Sequence, residues 1–143
     1  NMSLGINLLV GLAKKAAAVL GDGFDIEIVE QHHNQKIDAP SGTALMIADG
    51  ISSALGKNMD YVYDRHSQRK KRGKTDIGIH SIRGGTIVGE HEVIFAGNNE
   101  VVKISHSAQS KSIFANGAIK AAVFLAGKPA GLYDMSDLLN EVK

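Results

Sequence analysis

The run Glu30-Gln31-His32-His33-Asn34-Gln35-Lys36-Ile37-Asp38-Ala39-Pro40-Ser41-Gly42-Thr43 holds the densest set of reactive side chains in the sequence. It offers two imidazoles, an ammonium and then Ser-Gly-Thr. Imidazole titrates near neutral pH, so His32 and His33 are candidates for moving a proton. Lys36 could neutralise an anion or donate a proton. If Ser-Gly-Thr opens a helix, the free N–H groups and the helix dipole attract an anion there. Gly42 would let a ligand approach the backbone closely, and Thr43 adds a hydroxyl. Together these groups would bind a carboxylate or a phosphate. The competing reading is a polar loop ahead of a capped helix. No metal site is expected, because adjacent histidines cannot easily share one ion and no third ligand lies at standard spacing.

The elements around this run determine whether it can act as a site. Ile6, Leu9, Val10, Ala13, Ala17 and Leu20 recur at helical spacing, which predicts a helix over 5–20 ended by Gly21. Phe24, Ile26 and Ile28 alternate with Asp25 and Glu27, which predicts a half-buried strand over 24–31. The reactive run then forms a polar loop, and a second helix is expected over about 43–55, with Ser41 as N-cap and Gly56 as stop. A short strand over 60–64 and three more over about 75–83, 86–96 and 100–106 follow. Gly84-Gly85 and Gly97-Asn98-Asn99 read as hairpin connections. A third helix is expected over about 112–126 and a short fourth over 134–140. The reactive run thus sits between a strand end and a helix start, where α/β proteins hold ligands.

The third helix is apolar nearly all round. Lys120 is its only charge among Ile113, Phe114, Ala118, Ile119, Ala121, Ala122, Val123, Phe124 and Leu125. A helix of that kind needs partners on several faces, so a further domain or subunit is expected to cover part of it.

A length of 143 residues suits one domain, and 43% hydrophobic content suffices for a core without staples. The absence of cysteine excludes disulfides and thiol catalysis and fits a reducing, cytoplasmic setting. No apolar run is expected to reach the roughly 20 residues of a membrane span, and no membrane partner is expected. The opening Asn1-Met2 suggests a piece of something longer. Net charge is +1, yet Arg65, Arg69, Lys70, Lys71, Arg72 and Lys74 crowd into ten positions without an acid. That loop reads as a solvated surface turn or as a basic flap attracting an anionic ligand. A polyanion-binding module is the rival reading for the whole chain. No aromatic residue lies inside the run to stack bases, so no nucleic-acid partner is expected.

The block HHNQKIDAPSGTA resembles the substrate-site signature of the 4-hydroxy-tetrahydrodipicolinate reductase (dihydrodipicolinate reductase) family. Ile82-Arg83-Gly84-Gly85-Thr86-Ile87-Val88-Gly89-Glu90-His91 is similar to that family's strand pair. Phe114-Ala115-Asn116-Gly117-Ala118 and Gly131-Leu132-Tyr133-Asp134-Met135 are similar to its closing segment. The blocks agree in order across essentially the whole chain. The signature discriminates against the substrate domain of another two-domain dehydrogenase, such as one acting on an amino-acid semialdehyde.

The resemblance implies an α/β fold of the α+β kind, with a mixed sheet of about four strands, helices on one face and the other face used for a homotetramer. It implies a reductase of lysine and diaminopimelate biosynthesis that acts on a small dicarboxylate with NADH or NADPH. The dinucleotide domain is absent, since no strand leads into a G-x-G-x-x-G turn. Residues 1–112 would form the substrate-binding and tetramerisation domain, and 113–143 a segment packing on the missing domain. By resemblance His32 is the proton donor and acceptor and Lys36 a proton donor. His33, Lys36, Gly42 and Thr43 contact the substrate carboxylates. Asn1, Met2, Lys111 and Phe114 lie at the nicotinamide end, with Met2 where Phe is frequent and Lys111 where Arg is common. The isolated chain is expected to be inactive.

Overall fold

The computed structural model describes residues 1–141. Helix α1 (Leu4–Leu20) starts where the Ser3 hydroxyl accepts the amide of Ile6, and it stops at Gly21, whose φ of 56° suits glycine. Strand β1 (Asp25–His32) and helix α2 (Gly42–Leu55) flank the reactive run. Ser41 caps α2 through Ala44, and Gly56 ends it in the left-handed region, as the sequence predicts. Strands β2 (Asp60–Val62), β3 (Asp76–Arg83), β4 (Gly89–Ala96) and β5 (Val101–Ala108) follow, then helices α3 (Ser112–Leu125) and α4 (Met135–Glu141).

The sheet has five strands in the order β2-β3-β1-β4-β5. The short strand expected over 60–64 joins it as the edge strand β2, so the sheet has five strands where about four were expected. β1 runs parallel to β3 and antiparallel to β4, so the sheet is mixed. The Gly97–Asn99 connection is a hairpin between neighbours β4 and β5, with Asn99 at φ 65°. Gly84-Gly85 is not a hairpin. β3 and β4 do not pair, because β1 lies between them. The connection instead crosses the end of β1, where Gly84 N–H donates to His32 O and Asn34 N–H to Gly85 O. The glycine pair allows a tight turn either way, and the alternation pattern carries no record of which strands pair.

Register explains why the site lies where it does. Ile26 and Ile28 of β1 stand beside Ile77 and Ile79 of β3, and beside Phe95 and Val93 of β4. These residues meet Leu9, Ala13 and Ala17 of α1 and Ala44, Ile47, Ala48 and Ile51 of α2 in the core. Two positions further along β1, the same face carries Glu30, beside Ser81 and His91. Thus one face of the sheet is apolar at one end and polar at the other, and α2 begins over the polar end.

The stretch Leu4–Gly23 covers 20 residues at mean hydropathy 1.5, long and apolar enough by length and composition to cross a membrane. That corrects the expectation that no such run exists. In this fold its stripe Ile6, Leu9, Ala13 and Ala17 is buried, and α1 packs on α2, β5 and α4. Helix α3 buries only Gly117, against the carbonyl of Met2, while Ile119, Val123 and Leu125 are exposed.

The basic loop is not simply a solvated turn. Arg65 and Arg72 fold onto the helix-free face of the sheet and bind Glu27, Asp25 and Asp76. Two of the six cations are thereby neutralised by Glu27 and Asp25, far away in sequence, and by the nearby Asp76. Spacing within the loop could not reveal partners that only the sheet brings near.

Candidate active site

His32, the last residue of β1, has its Nδ1 2.6 Å from Glu30 Oε2. Its ring meets that of His91 edge-on, with centroids 5.2 Å apart. Gly89 leaves room for it, since a Cβ there would lie 3.1 Å from His32 Nε2. The chain then turns through His33, whose carbonyl accepts the Lys36 amide, and Lys36 Nζ pairs with Asp38 at 2.8 Å. Arg83 draws this loop in by donating from Nη2 to Asp38 O at 2.6 Å.

At the start of α2, the Ser41 hydroxyl accepts the Ala44 amide and the Ser41 carbonyl accepts that of Leu45. The amides of Gly42 and Thr43 have no such acceptor among the described residues, so they remain as donors at the positive end of the helix dipole. Asn1 Nδ2 donates to Thr43 Oγ1 at 2.9 Å, which brings the N-terminus to the same place.

These groups enclose a cavity of about 390 Å³, lined by Asn1, His32, His33, Lys36, Ser41, Gly42, Thr43, Met46, Val88, Lys111 and Phe114. The structure therefore brings together every predicted site residue except Met2, which does not line the cavity. Its carbonyl packs on Gly117 instead. The volume suits a small ligand, and the lining supplies cations, imidazoles and backbone donors for an anionic one.

Three residues beside the cavity were not singled out as site residues by the sequence. Glu30 is fully buried beneath His32. Burial alone would raise its carboxyl, but hydrogen bonds from Arg83 and His32 outweigh that and bring it down to about 2. Arg83 grips both carboxylate oxygens, at 2.8 and 2.7 Å. His91 lies 2.9 Å from Ser41 Oγ, and burial with the nearby His32 lowers its imidazole to about 4. One signal was available: Glu30 falls in phase with Ile26 and Ile28, which places an acid on the buried face of its strand.

Residues 5–139 match the family model described as dihydrodipicolinate reductase, C-terminus. The chain belongs to this family. It is 62% identical over 141 residues to 4-hydroxy-tetrahydrodipicolinate reductase of Caldanaerobacter subterraneus subsp. tengcongensis, a match spanning 99% of this chain and 56% of that protein. It is 56% identical over 138 residues to the protein of the same name from Staphylococcus aureus, covering 96% of this chain and 57% of that one. The fold is similar to that of a dipicolinate-bound dihydrodipicolinate reductase from Paenisporosarcina sp. TG-14, with TM-score 0.76 and 26% identity, over 96% of this chain and 52% of the other. The chain thus spans about half the length of the dihydrodipicolinate reductases it matches.

Proposed function

We propose that this chain is the substrate-binding half of an NAD(P)H-dependent reductase that converts 4-hydroxy-tetrahydrodipicolinate to tetrahydrodipicolinate in lysine and diaminopimelate biosynthesis. The observation that carries the reading is the convergence of His32, His33, Lys36, Gly42 and Thr43 on one cavity in a chain of this family. A ring with two carboxylates needs two clamps. The free amides at the start of α2 receive one arm, and His33 with Lys36 the other. His32, on the wall between these groups, is placed to hold and move the proton at the ring. Likeness to a structure bound to dipicolinate, itself a flat ring with two carboxylates, supports this substrate class.

A reduced nicotinamide, when bound, would supply a hydride to C4 of the substrate, the 4-hydroxyl being lost with a proton as water. Asn1, Lys111 and Phe114 line the same cavity, and an aromatic ring beside a cation suits one end of that cofactor. Asn1, Met2, Lys111 and Phe114 would hold this end, Met2 from just outside the cavity. No strand of the described residues leads into a glycine-rich phosphate turn, so the remaining cofactor contacts belong to another domain. On this reading residues 1–112 bind substrate and 113–143 pack on that domain, consistent with the exposed Ile119 and Val123. Residues 142 and 143 of that segment lie outside the described residues. The helix-free sheet face, with Ile82 and Val101 exposed, is the surface for a homotetramer. The enzyme works in the cytoplasm, where reduced nicotinamide nucleotides are supplied.

Calorimetry with pyridine-2,6-dicarboxylate tests the assignment. The folded chain should bind it, and Lys36→Ala should weaken binding by about tenfold or more. A folded chain that does not bind, or binding unchanged in the variant, would overturn the clamp. NAD(P)H oxidation by the isolated chain would contradict its being half an enzyme.

A further inference from the structure

One buried carboxylate touches both halves of the site. Glu30 Oε2 lies 2.6 Å from His32 Nδ1, and Glu30 Oε1 accepts the Ser41 amide at 3.1 Å, directly ahead of the anion-binding helix start. Both oxygens are also held by Arg83, which reaches on to the carbonyl of Asp38. Each bond constrains something different. The first fixes the imidazole ring and its proton. The second fixes where α2 begins, and the Arg83 fork prevents the carboxylate from rotating. We propose that Glu30 is the positioning residue of this site, holding the His32 proton on Nδ1 while setting the distance between His32 and the carboxylate-binding amides of Gly42 and Thr43. The proposal rests on the dicarboxylate-reductase reading of the cavity.

The chemistry follows from donor and acceptor count. An ionised carboxylate only accepts, so neutral His32 must carry its proton on Nδ1 and present Nε2 as a lone pair. Protonated His32 then holds its exchangeable proton on Nε2, away from Glu30. The ring can therefore give and retake a proton at one atom without losing its anchor. A glutamine at this position reverses the pattern. Its carbonyl can still accept the Ser41 amide and Arg83 Nη2, but the amide nitrogen then faces His32 Nδ1 as a donor and gives up the bond from Arg83 Nη1. That demands a bare Nδ1 and moves the His32 proton to Nε2.

Nitrogen-15 spectra of the histidine side chains, recorded where His32 is neutral, read this directly. The unmodified chain should show His32 protonated on Nδ1, and a predominant Nε2-protonated form would overturn the proposal whether or not any variant folds. In Glu30→Gln the proton should move to Nε2, and an unchanged tautomer would also overturn it. In the full-length reductase, Glu30→Gln should lower kcat by about 100-fold with little change in KM. Glu30→Ala, which also releases the Ser41 amide, should raise KM as well. Equal losses of kcat and KM in both variants would reduce Glu30 to a folding role and sink the assignment. Failure of the unmodified chain to bind pyridine-2,6-dicarboxylate counts against the substrate class alone, since the tautomer measurement needs no ligand.

Discussion

His91 Nε2 lies 2.9 Å from the Ser41 hydroxyl, and the same oxygen caps α2 by accepting the Ala44 amide at 3.1 Å. The buried Nδ1 of His91 finds no partner among the described residues. A charged imidazolium would need acceptors at both nitrogens, so the folded state keeps His91 neutral, and burial brings it down to about 4. The unfolded chain takes up that proton near pH 6.5. Stability contributed by neutral His91 is therefore present above pH 6.5 and lost as the pH falls toward 4. The loss is on the order of 3 kcal/mol at most. His106, also lowered by burial, adds to it with the same sign. Glu30 acts lower, between its ordinary range and about 2. Urea unfolding at pH 7, 5.5 and 4.5 should show falling stability, and His91→Gln should flatten that fall. An equal slope in the variant would refute the neutral-His91 account.

Most of the fold was legible because its signals are local. Ser41 and Gly56 bracket α2 as capping residues do, and Ile26, Ile28, Val93 and Phe95 alternate as half-buried strands do. The cavity was largely legible because most of its residues sit in one run beside a helix start and a resemblance named Asn1, Lys111 and Phe114, whereas Met46 and Val88 were not expected there. What stayed hidden depends on contacts between distant segments. The β1–β4 register brings His91 beside Glu30, and the β1–β3 register brings Arg83 near it. The folding of Arg72 onto Glu27 spans 45 positions. Alternation fixes which face a residue takes, but not which strand stands beside it.

The ion pair between Lys36 and Asp38 places a competing carboxylate on a group assigned to bind substrate. The Lys36 ammonium beside Asp38 holds that carboxyl below its ordinary range. Asp38 is mostly exposed, so the pair is screened and weak. Asp38→Asn should leave the melting temperature nearly unchanged while tightening pyridine-2,6-dicarboxylate by about two- to fivefold. Calorimetry decides it. Weaker binding in the variant would mean that Asp38 orients Lys36 rather than competing for it.

Helix α3 meets the N-terminal segment at a point with no spare room. A Cβ on Gly117 would run into the Met2 carbonyl, which is backbone and cannot rotate aside. Gly117→Ala should improve intrinsic helix propensity yet cost about 1–3 kcal/mol through the forced shift. Because Lys111 and Phe114 precede it on the same segment, the cavity wall should move too. Thermal unfolding by circular dichroism reads the first effect and ligand calorimetry the second. A variant as stable as the parent would show that α3 is not seated on Met2.

Arg72 and Arg69 lie three positions apart in the same basic loop, yet the fold treats them oppositely. The Arg72 guanidinium donates to Glu27, Asp25, Gly73 O, Ile26 O and Asp76 O, joining loop, β1 and β3. Arg69 is exposed. Lysine in place of Arg72 keeps the charge but cannot reproduce a planar fork that serves carbonyls and carboxylates together. Arg72→Lys should therefore cost about 2 kcal/mol, while Arg69→Ala stays within about 0.5 kcal/mol. Chemical denaturation of the two variants against the parent measures the contrast. If both behave alike, the loop is a solvated turn after all. The loss in Arg72→Lys should also persist in 1 M salt, because bonds to the Ile26, Gly73 and Asp76 carbonyls are not screened as surface ion pairs are.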